Sequence, residues 1–273
     1  MNLLFNGQLL PEEELKLPVT NRAFQYNDGF FETMMIVNGK IRFWQDHSDR
    51  LQDAARALKL NLPDYFQQNT FADKLLHLAE SNGALHYGRI KLKVWRSGAG
   101  LFTPETNATE WLATVQPALS PTEILQKVGI CTSVRTNFSP LSFFKGPNSP
   151  LYIMAAMEKE ERGFDDVILL SRQDLVSELI SSNIFWYQQD TLYTPSLDTG
   201  CINGIMRRNI LNWCRQESIK IKEAYFDVEG ILQAETVFSA NVTGLKEIRN
   251  LIGFELNQSA AIVSVLKDKL KQA

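Results

Sequence analysis

The stretch from Glu178 to Arg207 gathers the residue types that chemistry needs close together. A single carboxylate sits in Ser177-Glu178-Leu179, just ahead of Ser182-Asn183-Ile184-Phe185-Trp186. A hairpin-like passage stopped by Thr194-Pro195 follows, and Gly204-Ile205-Met206-Arg207 then turns into a helix expected over 204–216. Unpaired N–H groups and the positive dipole end converge at such a start, which makes it a ready anion site. A carboxylate and a phosphate turn on one stretch suit a cofactor carrying both a basic ring nitrogen and a phosphate. Pyridoxal phosphate is such a molecule, and it needs one group more, a lysine amine to form a Schiff base.

Lys145 is the candidate. It lies in Ser142-Phe143-Phe144-Lys145-Gly146-Pro147-Asn148, with two aromatic residues before it and a Gly-Pro turn after it. An apolar setting disfavours the charged ammonium and so favours the neutral nucleophile. On local sequence alone, a lysine in a loop is more often an ordinary surface residue. Its rivals Lys91 and Lys93 alternate with Ile90, Leu92 and Val94, which puts them on the solvent face of a strand.

The elements that must position these groups read as mixed α/β. Residues 3–10 form a small hairpin around Asn6-Gly7, a pair suited to the positive φ angles of a tight turn. A second hairpin runs over 30–37, turns at Asn38-Gly39 and returns through 40–44. Helical spacing follows over 46–58, with Leu51, Ala54, Ala55 and Leu58 on one face, and again over 71–79. Strands are expected at 88–95 and 111–115, and Gln116-Pro117-Ala118-Leu119-Ser120-Pro121 is the best linker in the chain. Beyond it come strand 127–134, helix 151–162, strands 167–170 and 184–187, and a last helix near 258–271. The pattern gives an N-terminal α/β domain over 1–116, a linker over 117–123 and a C-terminal α/β domain over 124–273 that carries Lys145. A cleft between two domains is a common place for a small ligand.

Composition excludes several classes. With 273 residues, 44% hydrophobic and 22% charged, the chain reads as globular and long enough for two cores. A net charge of -3 and a pI near 5.7 disfavour nucleic-acid or anionic-membrane partners. Cys131, Cys201 and Cys214 suggest neither a disulfide framework nor a zinc site, and His47, His77 and His86 have no metal-ligand spacing, so no metal is expected. The opening residues lack the pattern of a signal peptide, and no apolar run approaches a membrane span. A reducing cytoplasm is the expected setting.

Taken together, the motifs resemble those of the fold-type IV pyridoxal-phosphate enzymes, the class IV aminotransferases. This family includes branched-chain aminotransferases, D-amino acid transaminases and 4-amino-4-deoxychorismate lyases. The likeness runs through Asn21-Arg22-Ala23-Phe24, Tyr26-Asn27-Asp28-Gly29-Phe30-Phe31-Glu32-Thr33 and His47-Ser48-Asp49-Arg50-Leu51. It continues through Lys145 with Asn148, Glu178 with residues 182–185, Thr194-Pro195, Gly204-Ile205-Met206-Arg207 and Ala234-Glu235-Thr236-Val237-Phe238. The resemblance implies a two-domain α/β (α+β) fold like that of D-amino acid aminotransferase, with its active site in the interdomain cleft, and a homodimer.

Roles follow from the resemblance. Lys145 matches the lysine that forms the Schiff base and later moves the proton at the substrate carbon. Glu178 matches the carboxylate facing the pyridine nitrogen, where opposite charges favour the protonated ring. Arg50 matches the arginine that pairs with the phosphate through its planar fork. Ile202, Ile205 and Met206 flank the phosphate turn, and Asn241-Val242 match a second turn beside it. Tyr26 matches a tyrosine on the substrate side, where Thr33, Arg96 and Asn241 are the further residues expected to bind substrate.

Within the family the details point to the lyases. Met206 stands where transaminases usually place Thr, Asn241 stands where they tend to have glycine, and Thr33 matches a lyase threonine thought to assist proton movement. Against this, Leu101 stands where some lyases carry an arginine for a substrate carboxylate, so Arg96 or another cation must replace it, or the substrate differs. Pro150 occupies the place of a transaminase tyrosine. The expected substrate is a small amino compound. A branched-chain or D-amino acid transaminase is the alternative, and a cofactor-binding protein without turnover is a further one.

Overall fold

The computed structural model describes residues 1–256 and 259–273. It divides into two compact units, one of Met1–Leu119 with Phe144–Pro147 and one of Ser120–Phe143 with Asn148–Ala273. Among the described residues no helix is long and apolar enough to cross a membrane.

The N-terminal unit is built on one antiparallel sheet. Its strands are β1 (Asn2–Phe5), β2 (Gln8–Pro11), β3 (Gly29–Val37), β4 (Lys40–Ile41), β5 (Tyr87–Arg96) and β6 (Thr109–Pro117), in the order β2-β1-β6-β5-β3-β4. Asn6 and Gly7, at φ 49° and 89°, make the first turn as expected. Helices α1 (Arg22–Tyr26), α2 (Trp44–Ala57) and α3 (Asn69–Ser81) complete the unit. Strand alternation sends Leu4, Met34, Ile36, Ile90, Leu92, Val94, Ala113 and Val115 to one buried face. The apolar stripes of α2 (Leu51, Ala54, Ala55) and α3 (Phe71, Leu75, Leu78) are buried in the same unit. Phe66, Phe71 and Trp111 knit this layer, with Phe66 stacked on Phe71 at 4.2 Å between ring centroids.

The second hairpin is shorter than the sequence predicts. Its return strand ends at Ile41, because Phe43 adopts a left-handed conformation (φ 57°) and its carbonyl accepts from His47 N–H. Trp44 therefore opens a helix instead of closing a strand.

In the C-terminal unit two sheets enclose the core. The first has the order β10-β9-β8-β16-β17, from β8 (Val128–Ile130), β9 (Asp166–Leu170), β10 (Val176–Leu179), β16 (Asn250–Leu251) and β17 (Phe254–Glu255). The second has the order β13-β12-β11-β14-β15-β7, from β7 (Ile124–Leu125), β11 (Asn183–Gln188), β12 (Thr191–Pro195), β13 (Ile221–Ala224), β14 (Thr236–Asn241) and β15 (Gly244–Ile248). Ile168, Val176 and Leu179 from the first pack with Ile184, Trp186, Val237 and Ile248 from the second. Helices α4 (Ser149–Glu161), α5 (Ile205–Gln216), α6 (Val228–Leu232) and α7 (Ala261–Gln272) surround them. The expected start of the last helix at position 258 lies outside the described residues. Strand β8 also stops early, at Ile130 rather than residue 134. The Glu158 carboxylate takes the N–H groups of Thr132 (2.9 Å) and Ser133 (2.8 Å), which a longer strand would have needed for its ladder.

One expectation about the units is corrected. Lys145 belongs to the N-terminal unit, not to the C-terminal one. Phe31 N–H donates to Lys145 O at 2.9 Å, and Asn27 Nδ2 donates to Gly146 O at 2.9 Å, so β3 holds this segment. Gly146 makes the approach possible. At φ +142° it sits where side chains are strained, and a Cβ there would stand 2.7 Å from Phe30 Cα. Gly146→Ala should therefore destabilise by about 1–3 kcal/mol, or lower Tm by roughly 3–10 °C. Calorimetry tests this; an unchanged Tm would refute the argument.

Candidate active site

In the N-terminal unit a buried carboxylate organises the expected phosphate partner. Glu32 on β3 is 1% exposed, and Arg50 on α2 donates to its two oxygens through Nε and Nη2, each at 2.6 Å. His47 Nδ1 lies 2.8 Å from the same carboxylate. Burial alone would raise the Glu32 carboxyl, but the Arg50 charge and the hydrogen bonds from His47 and Arg50 hold it at about 2. Burial lowers the His47 pKa despite Glu32, so the ring is neutral and donates from Nδ1–H. In the sequence Glu32 and His47 stand out only as members of a motif; in the structure they are the frame that orients Arg50.

The opposite face of β3 holds Thr33. It lines a cavity of about 320 Å³ with Phe31, Arg89, Lys91, Thr114 and Gln116. Thr33 pairs in register with Lys91, and Lys91 with Thr114, which sets the three side by side. Lys91 and Lys93 do share a strand face, as the alternation predicts, but they do more than meet solvent. The Lys91 ammonium stands 5.0 Å from the centre of the Phe31 ring. Lys93 is half-buried, and burial and then the Lys91 charge depress its pKa. Lys145 enters this neighbourhood through its main chain, because its carbonyl is bonded to Phe31.

The expectation that Arg96 binds substrate is corrected. Arg96 is 7% exposed and its donors go to the protein: Nε to Asp28 (3.0 Å), Nη2 to Leu58 O (2.6 Å), and Nη1 to Lys59 O and Asn107 Oδ1. Arg22 likewise donates to Asp28 (2.8 Å) and to the carbonyls of Ala99, Gly100 and Leu101. The two arginines shape the loop, while the Leu101 side chain is 78% exposed. Tyr26 ends α1, with Arg22 over its ring at 4.9 Å and Phe102 against it at 5.6 Å.

The C-terminal unit holds the expected carboxylate and helix start. Glu178 on β10 is 2% exposed, and Ile202 N–H donates to its Oε2 at 3.1 Å. Tyr152 on α4 donates its hydroxyl to Oε1 at 2.7 Å. Tyr152 carries no signal in the sequence, since nothing local marks a residue 26 positions away as a partner. Asn183 braces the next turn by donating to Ile202 O at 2.8 Å. Gly204 then caps α5 with no side-chain bond to its first turn, and a Cβ there would collide with Asn183 Oδ1. The uncapped amides of Ile205 and Met206 open a 12-residue helix, which suits an anion.

Asn241 departs from expectation in one respect. Its Oδ1 accepts from Thr243 N–H (2.9 Å) and Oγ1 (2.6 Å), and its Nδ2 donates to Ser181 O (3.2 Å). The side chain closes the β14–β15 turn, a task for which asparagine is well suited, instead of reaching for a substrate. The turn runs from Asn241, the last residue of β14, through Val242 and Thr243 to β15.

These residues fit pyridoxal phosphate. Within the C-terminal unit a buried, hydrogen-bonded carboxylate suits the ring nitrogen and an uncapped helix start suits the phosphate; the amine is the one expected of Lys145 by the family resemblance. Buried Cys201, pushed up to about 12 by burial and then by Glu178, is no rival nucleophile.

The Glu32 cluster predicts an acid-sensitive unit. A carboxyl depressed in the fold stabilises above its ordinary value of 4.5, and this stabilisation is lost as pH falls toward about 2. A histidine depressed in the fold also withdraws stability below 6.5, because the unfolded ring takes up a proton first. Urea unfolding should show Glu32→Gln about 3–5 kcal/mol less stable at neutral pH, with the dependence below pH 4.5 reduced. Equal pH slopes in the two proteins would contradict the assignment.

Comparison with known proteins gives the family. The amino-transferase class IV family model matches residues 29–250. An aminodeoxychorismate lyase of Vibrio harveyi is 26% identical, covering 89% of this chain and 92% of its own. A D-alanine aminotransferase of Bacillus licheniformis is 28% identical, covering 89% and 85%. The solved branched-chain aminotransferase of Thermoproteus uzoniensis superposes with a TM-score of 0.90 at 22% identity, covering 100% of this chain and 94% of that one. The fold is that of the fold-type IV enzymes. The chain belongs to the class IV amino-transferase family and is an enzyme whose cofactor is pyridoxal phosphate.

Proposed function

We propose that the enzyme is a 4-amino-4-deoxychorismate lyase, releasing pyruvate and leaving p-aminobenzoate. The observation that carries this reading is the cavity beside Thr33. Its Arg89 and Lys91 are exposed, and among the described residues no carboxylate pairs with either. A substrate with a carboxylate remote from its reacting amine needs such a cation, and with Leu101 and Arg96 unsuited, these two stand in for the loop arginine.

In this reading the amides of Ile205 and Met206 and the Asn241-Val242 turn hold the phosphate, and Arg50, whose Nε and Nη2 are taken by Glu32, is assigned to it by the family resemblance alone. Glu178, backed by Ile202, faces the ring nitrogen. Pyridoxal phosphate, when bound, supplies an electron sink for the carbon that bears the substrate amine. Lys145 takes the proton from that carbon, and the Thr33 hydroxyl assists its movement. The C–O bond to the enolpyruvyl group then breaks, the proton is returned to that group as it leaves as pyruvate, and the ring becomes aromatic. Tyr26 lines the substrate side. By the family resemblance the enzyme works as a homodimer, which sedimentation of the holoenzyme checks.

Purified holoenzyme should be yellow, and borohydride should fix the cofactor to Lys145. Supplied with aminodeoxychorismate, it should yield pyruvate and p-aminobenzoate. Turnover only of D- or branched-chain amino acids with 2-oxoglutarate would make it a transaminase instead. Lys91→Met should raise KM for aminodeoxychorismate about ten- to hundredfold, the worth of a hydrogen bond to a charged group. An unchanged KM would remove the cavity from the argument.

A further inference from the structure

Glu178 accepts from a side chain that takes no part in the proposed reaction steps. The Tyr152 hydroxyl lies 2.7 Å from Oε1, and the Ile202 amide lies 3.1 Å from Oε2, so each carboxylate oxygen accepts from a protein donor. The carboxylate itself is 2% exposed. Tyr152 reaches it from the first turns of α4, the helix that begins four residues after Lys145. Burial, and then the Glu178 charge, push the Tyr152 phenol well above its ordinary range, so the hydroxyl keeps its proton and donates.

A carboxylate facing a pyridine nitrogen shares one proton with it. The proton sits either on nitrogen, giving a pyridinium beside a carboxylate, or on oxygen, giving a neutral pair. Hydrogen bonds donated to the carboxylate stabilise its charged form and so favour the first arrangement. Ile202 offers a fixed backbone donor, and Tyr152 offers one carried on a side chain.

We propose that Tyr152 is a positioning residue that holds the Glu178 carboxylate ionised and aimed, keeping the shared proton on the cofactor's ring nitrogen. The proposal rests on the reading that Glu178 faces that nitrogen, and it adds a group that acts through Glu178 without touching the cofactor. Losing a hydrogen bond to a charged acceptor changes an equilibrium about ten- to hundredfold. The balance between the two proton positions should move by that factor toward the neutral pair when Tyr152 is replaced by Phe.

The test uses holoenzyme loaded with pyridoxal phosphate labelled with 15N at the ring nitrogen. In the wild type the nitrogen resonance should have the pyridinium value. In Tyr152→Phe it should move toward the neutral pyridine value, with Tm and cofactor content little changed. Glu178→Gln should move it furthest. A Tyr152→Phe resonance identical to the wild type, while Glu178→Gln shifts, would overturn the role of Tyr152 and leave Glu178 in place. If Glu178→Gln also leaves the resonance unmoved, the placement of Glu178 opposite the nitrogen fails, and the proposal fails with it. A purely structural tyrosine would lower Tm without moving the resonance.

Discussion

In the N-terminal unit the segment that carries Lys145 depends on one backbone hydrogen bond, from Phe31 N–H to Lys145 O at 2.9 Å. It fastens the lysine's chain to the edge of a strand whose other edge is zipped to β5 over nine residues. Proton transfer tolerates little misplacement of the reacting groups, and a sheet is a stiffer support than a loop. The bond is possible because Gly146 brings no side chain to the contact, so a glycine and an amide together decide where the amine starts from.

The same strand divides its duties by alternation. Glu32 faces α2, where Arg50 and His47 meet it, while Phe31 and Thr33 face the cavity with Lys91. A shift of one residue in register would exchange the two sets. The long antiparallel pairing with β5 therefore protects chemistry as well as stability. The C-terminal unit solves a parallel problem with a desolvated carboxylate. Glu178 at 2% exposure would be costly without donors, and Ile202 and Tyr152 answer that cost with hydrogen bonds at each oxygen.

Much of this was legible in the sequence where local chemistry is strong. Asn6-Gly7 specified its turn, the alternation around Ile90 and Leu92 specified a strand, and Gly204-Ile205-Met206 specified a helix start. What could not be read is tertiary. Cys131 to Val134 looked like a continued strand until Glu158, on a helix downstream, claimed its amides. Lys145 lies beyond the linker in sequence yet packs with the unit before it. Arg96 looked available because a buried guanidinium and an exposed one have the same letter; only the carbonyls of Leu58 and Lys59 show where its donors go. Tyr152 was invisible for the same reason.

The arginines explain why one scaffold can serve different substrates. Arg22 grips the loop carbonyls of Ala99, Gly100 and Leu101, while Arg96 and Arg22 share Asp28. The loop's path is thus fixed through its main chain, whatever side chain stands at position 101. An arginine can be lost there with no penalty to the fold, and only carboxylate recognition is affected. Recognition can then pass to a cation elsewhere if that cation is held rigidly and lacks a competing carboxylate. Lys91 meets both conditions, since its Cα is clamped between β3 and β6 and its ammonium rests over an aromatic ring. A strand-borne cation also loses less freedom on binding than one on a loop, which is the physical support for the carboxylate-binding role proposed for Lys91.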